Sequence, residues 1–213
     1  YVQDFSVGSQ ETVPTDLTFN NDGTKMYVIG SAGDDVNEYS LSTAFDVSTA
    51  SYVQRFLVNS QETNPQGIAF NNDGTKMYIT GYNGRDVNEY SLSTAFNVST
   101  ASYVQRFVVS SQETIPSGIA FNNDGTKMFI TGWSGDDVNE YSLSTAFDVS
   151  SASFAGNSER FSVGSQETTP TDVTFNNDGT KMYVLGNSGD DVNEYALTTA
   201  FDVSTASYIQ RFL

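Results

Sequence analysis

The chain has 213 residues, enough to bury a sizeable core in one domain or two. It has no cysteine, no histidine and one tryptophan, and 26 Asp plus Glu outweigh 9 Lys plus Arg for a net charge of −17. Disulfides, thiolate and imidazole metal sites, thiol nucleophiles, a Ser-His-Asp triad and the usual near-neutral proton shuttle are therefore excluded, and phosphate backbones would be repelled.

Taken in chain order, an extended apolar segment at 1–7 opens the sequence. Residues 17–19 read as a first strand, A. The Asn-Asp-Gly-Thr at 21–24 is a tight hairpin, because Asp and Gly tolerate positive φ. Strand B follows at 26–29, a Gly-bounded turn at 30–33, and strand C at 36–41. A Ser/Thr-rich connection at 42–51 leads to strand D at 52–58. Strands A and B are apolar on both alternating faces, as expected for a small sheet sandwiched between two others.

The pattern then repeats. Phe5, Phe56 and Phe107 fall 51 residues apart, each in a Tyr-Val-Gln-x-Phe segment. The next copy, at Phe161, arrives late because of an insertion around 154–158, and Phe212 closes the series. The A-B-C units lie near 15–41, 66–92, 117–143 and 171–197. D-like segments lie near 1–7, 52–58, 103–109, 159–163 and 208–213. Four short antiparallel strands at a period near 51, with no helical periodicity, predict an all-β fold. The expected architecture is a β-propeller of four blades of four antiparallel strands, forming a single domain over 1–213.

The stretch Pro65-Gln66-Gly67-Ile68-Ala69-Phe70-Asn71-Asn72-Asp73-Gly74-Thr75-Lys76-Met77-Tyr78-Ile79 resembles the blade signature of YVTN/lactonase-type and NHL-type propellers. Those families share a Pro-x-Gly-apolar-Ala-apolar strand, an Asp-Gly hairpin and then an aromatic strand. The resemblance runs through all four repeats and implies a propeller fold. The chain departs from the enzymatic members in having no histidine and four nearly uniform blades.

Five D-like segments serve four A-B-C units, so one terminal copy is spare. A compact monomer is favoured, with self-association through a terminal strand or a fragment cut from a longer array as the alternatives, since a free apolar edge invites pairing. No apolar run reaches membrane-spanning length and no leader pattern opens the sequence. The expectation is a chain that does not insert in membranes or bind nucleic acid, and is extracellular or surface-displayed.

The repeats differ mainly in two places, the D–A loop and the B–C turn, which antiparallel topology puts at the same end of each blade. There Tyr82 and Trp133 are expected as exposed aromatic platforms, with Asn83, Arg85, Gln66 and Asn64 as polar neighbours. Rings beside amides suit a glycan or a protein surface ligand. Asp16 and Asp172 stand where the other repeats have glycine, at the start of strand A. They are the candidate metal ligands, with Ca²⁺ as the ion they could attract. No other cofactor is expected. The Asn-Asn-Asp-Gly segments lack the alternating acids and distal Glu of a calcium loop and read as hairpins.

Near-duplicate blades offer the same groups four times over, whereas catalysis needs unlike groups converging. The sequence therefore predicts a non-catalytic recognition or adhesion module. One alternative is a structural module of an extracellular or virion assembly, linked by strand exchange. The other is a calcium-dependent lactonase-like hydrolase.

Overall fold

The computed structural model describes Val2–Phe212; Tyr1 and Leu213, the outermost residues of the first and last D-like segments, lie outside the described residues. The fold is all-β and consists of four propeller blades, each a mixed-length antiparallel sheet in A-B-C-D order. Blade one comprises β1 (Pro14–Phe19), β2 (Lys25–Gly30), β3 (Asp35–Leu41) and β4 (Ala50–Leu57). Blade two comprises β5 (Pro65–Phe70), β6 (Lys76–Gly81), β7 (Asp86–Leu92) and β8 (Ala101–Val108). Blade three has β9 (Pro116–Phe121), β10 (Lys127–Gly132) and β11 (Asp137–Leu143), and its outer strand is divided into β12 (Ala152–Phe154) and β13 (Arg160–Ser162). Blade four comprises β14 (Pro170–Phe175), β15 (Lys181–Gly186), β16 (Asp191–Leu197) and β17 (Ala206–Phe212).

The chain divides into two compact units. One runs up to Gly84 and resumes at Asn88–Gln105; the other is Arg85–Val87 with the chain from Arg106 onward. Within the first unit, Tyr27, Ile29, Ile68, Ile79 and Tyr90 belong to one buried cluster. Tyr27 packs on Phe70 with ring centroids 4.6 Å apart, and its hydroxyl donates to the Phe96 carbonyl at 2.7 Å. That bond removes the penalty of burying a phenol among apolar groups. In the second unit Phe129, Val138, Val173, Val184 and Tyr195 form the equivalent cluster, and Phe129 meets Phe175 at 4.5 Å. Strands B and C of the first three blades are buried almost throughout, which is why their sequence shows little alternation.

Each D strand is the exposed outer strand, but one aromatic reaches inward from it. Phe56 meets Tyr90 edge-on at 5.5 Å, and Phe161 meets Tyr195 at 5.4 Å. Phe5 makes the same contact with Tyr39 at 5.6 Å, although residues 2–7 form no strand. The first D-like segment thus keeps its side-chain packing without entering a ladder.

The insertion in blade three falls at a pre-existing irregularity. In blade one the β3–β4 register slips between Glu38 and Tyr39, so Val53 is a bulged extra residue opposite that step. Blade four has the same slip between Glu194 and Tyr195. In blade three the bulge has grown into the 3-10 turn Asn157–Glu159, which separates β12 from β13.

Candidate functional site

The D–A loop and the B–C turn of each blade are held together by one buried glutamate. In blade one Glu11 Oε1 accepts the Val13 N–H at 2.6 Å and the Ala32 N–H at 3.3 Å, while Oε2 accepts Gly33 N–H at 3.0 Å. Glu62 takes the N–H groups of Asn64, Asn83 and Gly84; Glu113 those of Ile115, Ser134 and Gly135; Glu167 those of Thr169, Ser188 and Gly189. All four are at most 1% exposed. The glycine that ends strand B makes room: a Cβ on Gly186 would collide with the Glu167 carboxylate. Burial alone would push the Glu167 carboxyl up, but its N–H donors and the Thr169 hydroxyl outweigh it and hold the pKa below the ordinary value. Composition and loop variability do not single out these residues. Their signal was the invariant Ser-Gln-Glu-Thr that precedes every strand A, a constant feature beside the variable positions it supports.

On this scaffold blade two brings most of the expected residues together. Gln66 Nε2 donates to Asn64 Oδ1 at 2.7 Å, the Tyr82 N–H donates to the Asn64 carbonyl at 3.1 Å, and Asn83 Nδ2 donates to Thr63 Oγ1 at 2.8 Å. Tyr82 is 40% exposed. Arg85 ends the same turn with φ 52°, in the left-handed region where the other three blades carry Asp. A long side chain there is less comfortable than Asp, whose short polar group tolerates αL. Trp133 occupies the corresponding turn of blade three. It is 41% exposed, and its N–H donates to the Ile115 carbonyl at 3.1 Å. The turn thus fixes its backbone while the indole faces solvent.

Asp16 and Asp172 are each engaged inside their own unit. Asp16 Oδ1 accepts the Leu17 N–H at 2.7 Å, and Oδ2 accepts the Ile68 N–H of β5 at 2.8 Å. Asp172 lies against Gly118 of β9, so close that a Cβ on Gly118 would meet the Asp172 backbone at 2.7 Å. The alternation of Asp and Gly at the start of strand A is therefore a packing relation: an aspartate on one blade fits the glycine-bearing strand of its neighbour within each unit. Burial pushes the Asp172 carboxyl up to about 7, against the pull of the Val173 N–H.

A second layer of carboxylates begins strand C. Asp35 is fully buried, accepts Asn37 Nδ2 at 2.6 Å and meets Arg55 at 3.3 Å. Burial, partly offset by Asn37 and Arg55, raises its pKa. The pairing Asp–Arg recurs in every blade, as Asp86–Arg106, Asp137–Arg160 and Asp191–Arg211. The recurrence of these acids is thus structural.

Solved structures at low identity share this architecture. A protein from Lactobacillus plantarum matches at 14% identity with a TM-score of 0.63, over 93% of this chain and 54% of that one. The periplasmic gluconolactonase of Pseudomonas aeruginosa matches at 16% identity with a TM-score of 0.55, over 92% and 52%. The WD40 repeats of RRP9 match at 10% identity with a TM-score of 0.57, over 92% and 51%. The chain spans about half the length of each. No protein-family model matches the chain, and neither does any curated protein.

The expectation that the chain is not an enzyme is corrected here. Propellers of this construction include a gluconolactonase. At these identities the likeness is one of fold, and by fold this chain is built of the blades found in a gluconolactonase and in WD40 repeats.

Proposed function

We propose that the chain binds a polyhydroxylated ring, a sugar or sugar lactone, at the blade ends formed by the D–A loops and B–C turns. The observation that carries this reading is an exposed aromatic residue on a clamped turn in each unit taken by itself, Tyr82 in the first and Trp133 in the second, each about 40% exposed on a turn held by a buried glutamate. An exposed ring on a rigid backbone offers a flat apolar face with little entropy to lose on binding. On blade two, Asn64, Gln66, Asn83 and Arg85 add the amide and guanidinium donors that hydroxyls need. YVTN/lactonase-type or NHL-type blades and extracellular or surface display belong to the same reading.

A second reading has one specific observation in its favour. A propeller of similar fold is a gluconolactonase, and Asp172, whose carboxyl burial pushes up to about 7, is the candidate acid–base group for ring-opening of a lactone by water. In that reading the sugar-like ligand is a lactone substrate.

The single tryptophan makes the test direct. Titration with glucono-1,5-lactone, gluconate and a panel of oligosaccharides is expected to shift the Trp133 emission for at least one ligand class. Tyr82→Ala is expected to weaken capture on blade two with an unchanged melting temperature. Emission that stays constant across the panel would sink the binding reading. Lactone consumption lost in Asp172→Asn with binding retained would favour the second reading; consumption equal to wild type would exclude Asp172 as the acid–base group.

A further inference from the structure

In the first unit, Glu38 of β3 has all its oxygens provided for. Lys25 Nζ lies 2.8 Å from Oε1, while Oε2 accepts Gln54 Nε2 at 2.8 Å and the Val98 N–H at 3.1 Å. Gln54 Nε2 also reaches Asn97 Oδ1 at 2.7 Å. One amide group therefore bridges a glutamate on blade one to an asparagine on blade two.

The same three positions in the second unit are Glu140, Glu159 and Asp202. Register shows the correspondence: Gln54 pairs with Glu38, and Glu159 directly precedes Arg160, the partner of Asn139. Asn97 and Asp202 both cap the 3-10 turn that follows, each accepting the N–H two residues on. Every polar neighbour that was an amide is now a carboxylate. Oxygens of the three side chains lie within 4.8 Å of one another.

The substitution leaves a defect. Glu140 is 2% exposed and Lys127 Nζ meets its Oε1 at 2.7 Å, but its Oε2 is buried with no hydrogen-bond donor. The Val203 N–H favours the charged form of Glu140 but makes no hydrogen bond to that oxygen. A buried carboxylate oxygen without a partner is costly, and two further carboxylates beside it add repulsion. Three carboxylates against the one ammonium of Lys127 leave two negative charges, the charge a divalent cation neutralises. Glu159 and Asp202 are half-buried, open enough for an ion to enter and keep part of its water shell.

We propose that Glu140, Glu159 and Asp202 form a binding site for a divalent oxygen-seeking cation, Ca²⁺, created by the insertion in the outer strand of blade three. Oxygen-only ligands, flexible geometry and remaining waters suit Ca²⁺ better than the softer transition metals. Asp202 is pre-oriented, since its Oδ1 accepts the Ser204 N–H at 3.1 Å and the Ser204 hydroxyl at 2.5 Å. The site is independent of the loop face proposed to bind ligand.

The test uses the full chain stripped with chelator and titrated with CaCl₂ near neutral pH by calorimetry, with thermal melts in parallel. One ion per chain is expected, with a dissociation constant of roughly 10⁻⁴–10⁻³ M, and a higher melting temperature in calcium than in EDTA. The double variant Glu159→Gln, Asp202→Asn rebuilds the amide pair that the first unit already folds around. It is expected to bind Ca²⁺ about tenfold or more weakly and to melt higher than wild type in EDTA, because the amide supplies the missing donor. No heat and no melting shift with calcium in wild type would overturn the site. So would a double variant that binds calcium as tightly as wild type, or a wild-type melt that responds to protons between about pH 5 and 7 but not to calcium, which would mean a shared proton fills the gap.

Discussion

Glu167 shows how one residue can hold two loops. A single carboxylate takes N–H groups from Thr169 at 2.6 Å, Ser188 at 3.0 Å and Gly189 at 2.9 Å, so the D–A loop and the B–C turn share one anion. Hydrogen bonds to charged groups contribute about 1.5–3 kcal/mol each where the alternative is a buried unpaired group. Glu167→Gln turns one accepting oxygen into a donor facing other donors, and about 2–3 kcal/mol of stability should be lost. The pH dependence has a definite sign. The folded-state pKa lies below the ordinary 4.5, so the clamp's contribution is complete above that value and falls away as pH drops through the lowered one. Denaturant melts of wild type and Glu167→Gln should therefore converge as pH falls below the ordinary 4.5 and through the lowered pKa. Curves that stay parallel down to acid would show that the carboxylate is not the clamp. The Ser-Gln-Glu-Thr repeat was plain in the sequence. Its role was not, because a carboxylate's partners are backbone groups from two segments that meet only on folding.

At the scale of the element, the A–B hairpin was read correctly because its chemistry is local. In the first copy Asn20 Oδ1 accepts the Lys25 N–H, Asp22 Oδ1 accepts the Thr24 N–H, and Gly23 takes φ +71°. What local reasoning could not supply is the ring above the turn. A Cβ on Gly23 would fall 2.3 Å from Phe45, whose own N–H donates to the Gly23 carbonyl at 2.9 Å. Gly23→Ala should therefore cost about 2 kcal/mol or more, beyond the ~1 kcal/mol of a positive φ alone. In a Phe45→Ala background the same change should cost only the conformational part. Equal costs in the two backgrounds, read from chemical denaturation, would remove the ring from the explanation. The insertion in blade three teaches the same lesson. Its length was visible as a late Phe161, but its effect depends on falling at the bulge opposite Glu140, and register is not visible in one strand alone.

At the scale of the whole molecule the charge balance decides between two opposing salt effects. Among the described residues, eight of the nine cations form ion pairs, and their partners are mostly buried acids such as Asp35, Glu38, Asp86 and Glu89. Arg85 makes none among the described residues. The cations are thus taken up by acids of the blades, and apart from the four buried loop glutamates the remaining carboxylates are partly or fully exposed, with little to balance a net charge of −17. Salt screens exposed charges beyond a Debye length of about 10 Å at 0.1 M, while partly buried pairs are screened much less. Self-repulsion among surface acids should therefore be relieved more than the pairs are weakened. In EDTA, to keep divalent ions out, raising NaCl from about 0.02 M to about 0.5 M should raise the melting temperature by a few degrees. A melting temperature that falls over that range would mean the Lys–Glu and Arg–Asp pairs dominate. The acidic surface would then be a neutral bystander to stability and matter only for solubility and for the choice of partner.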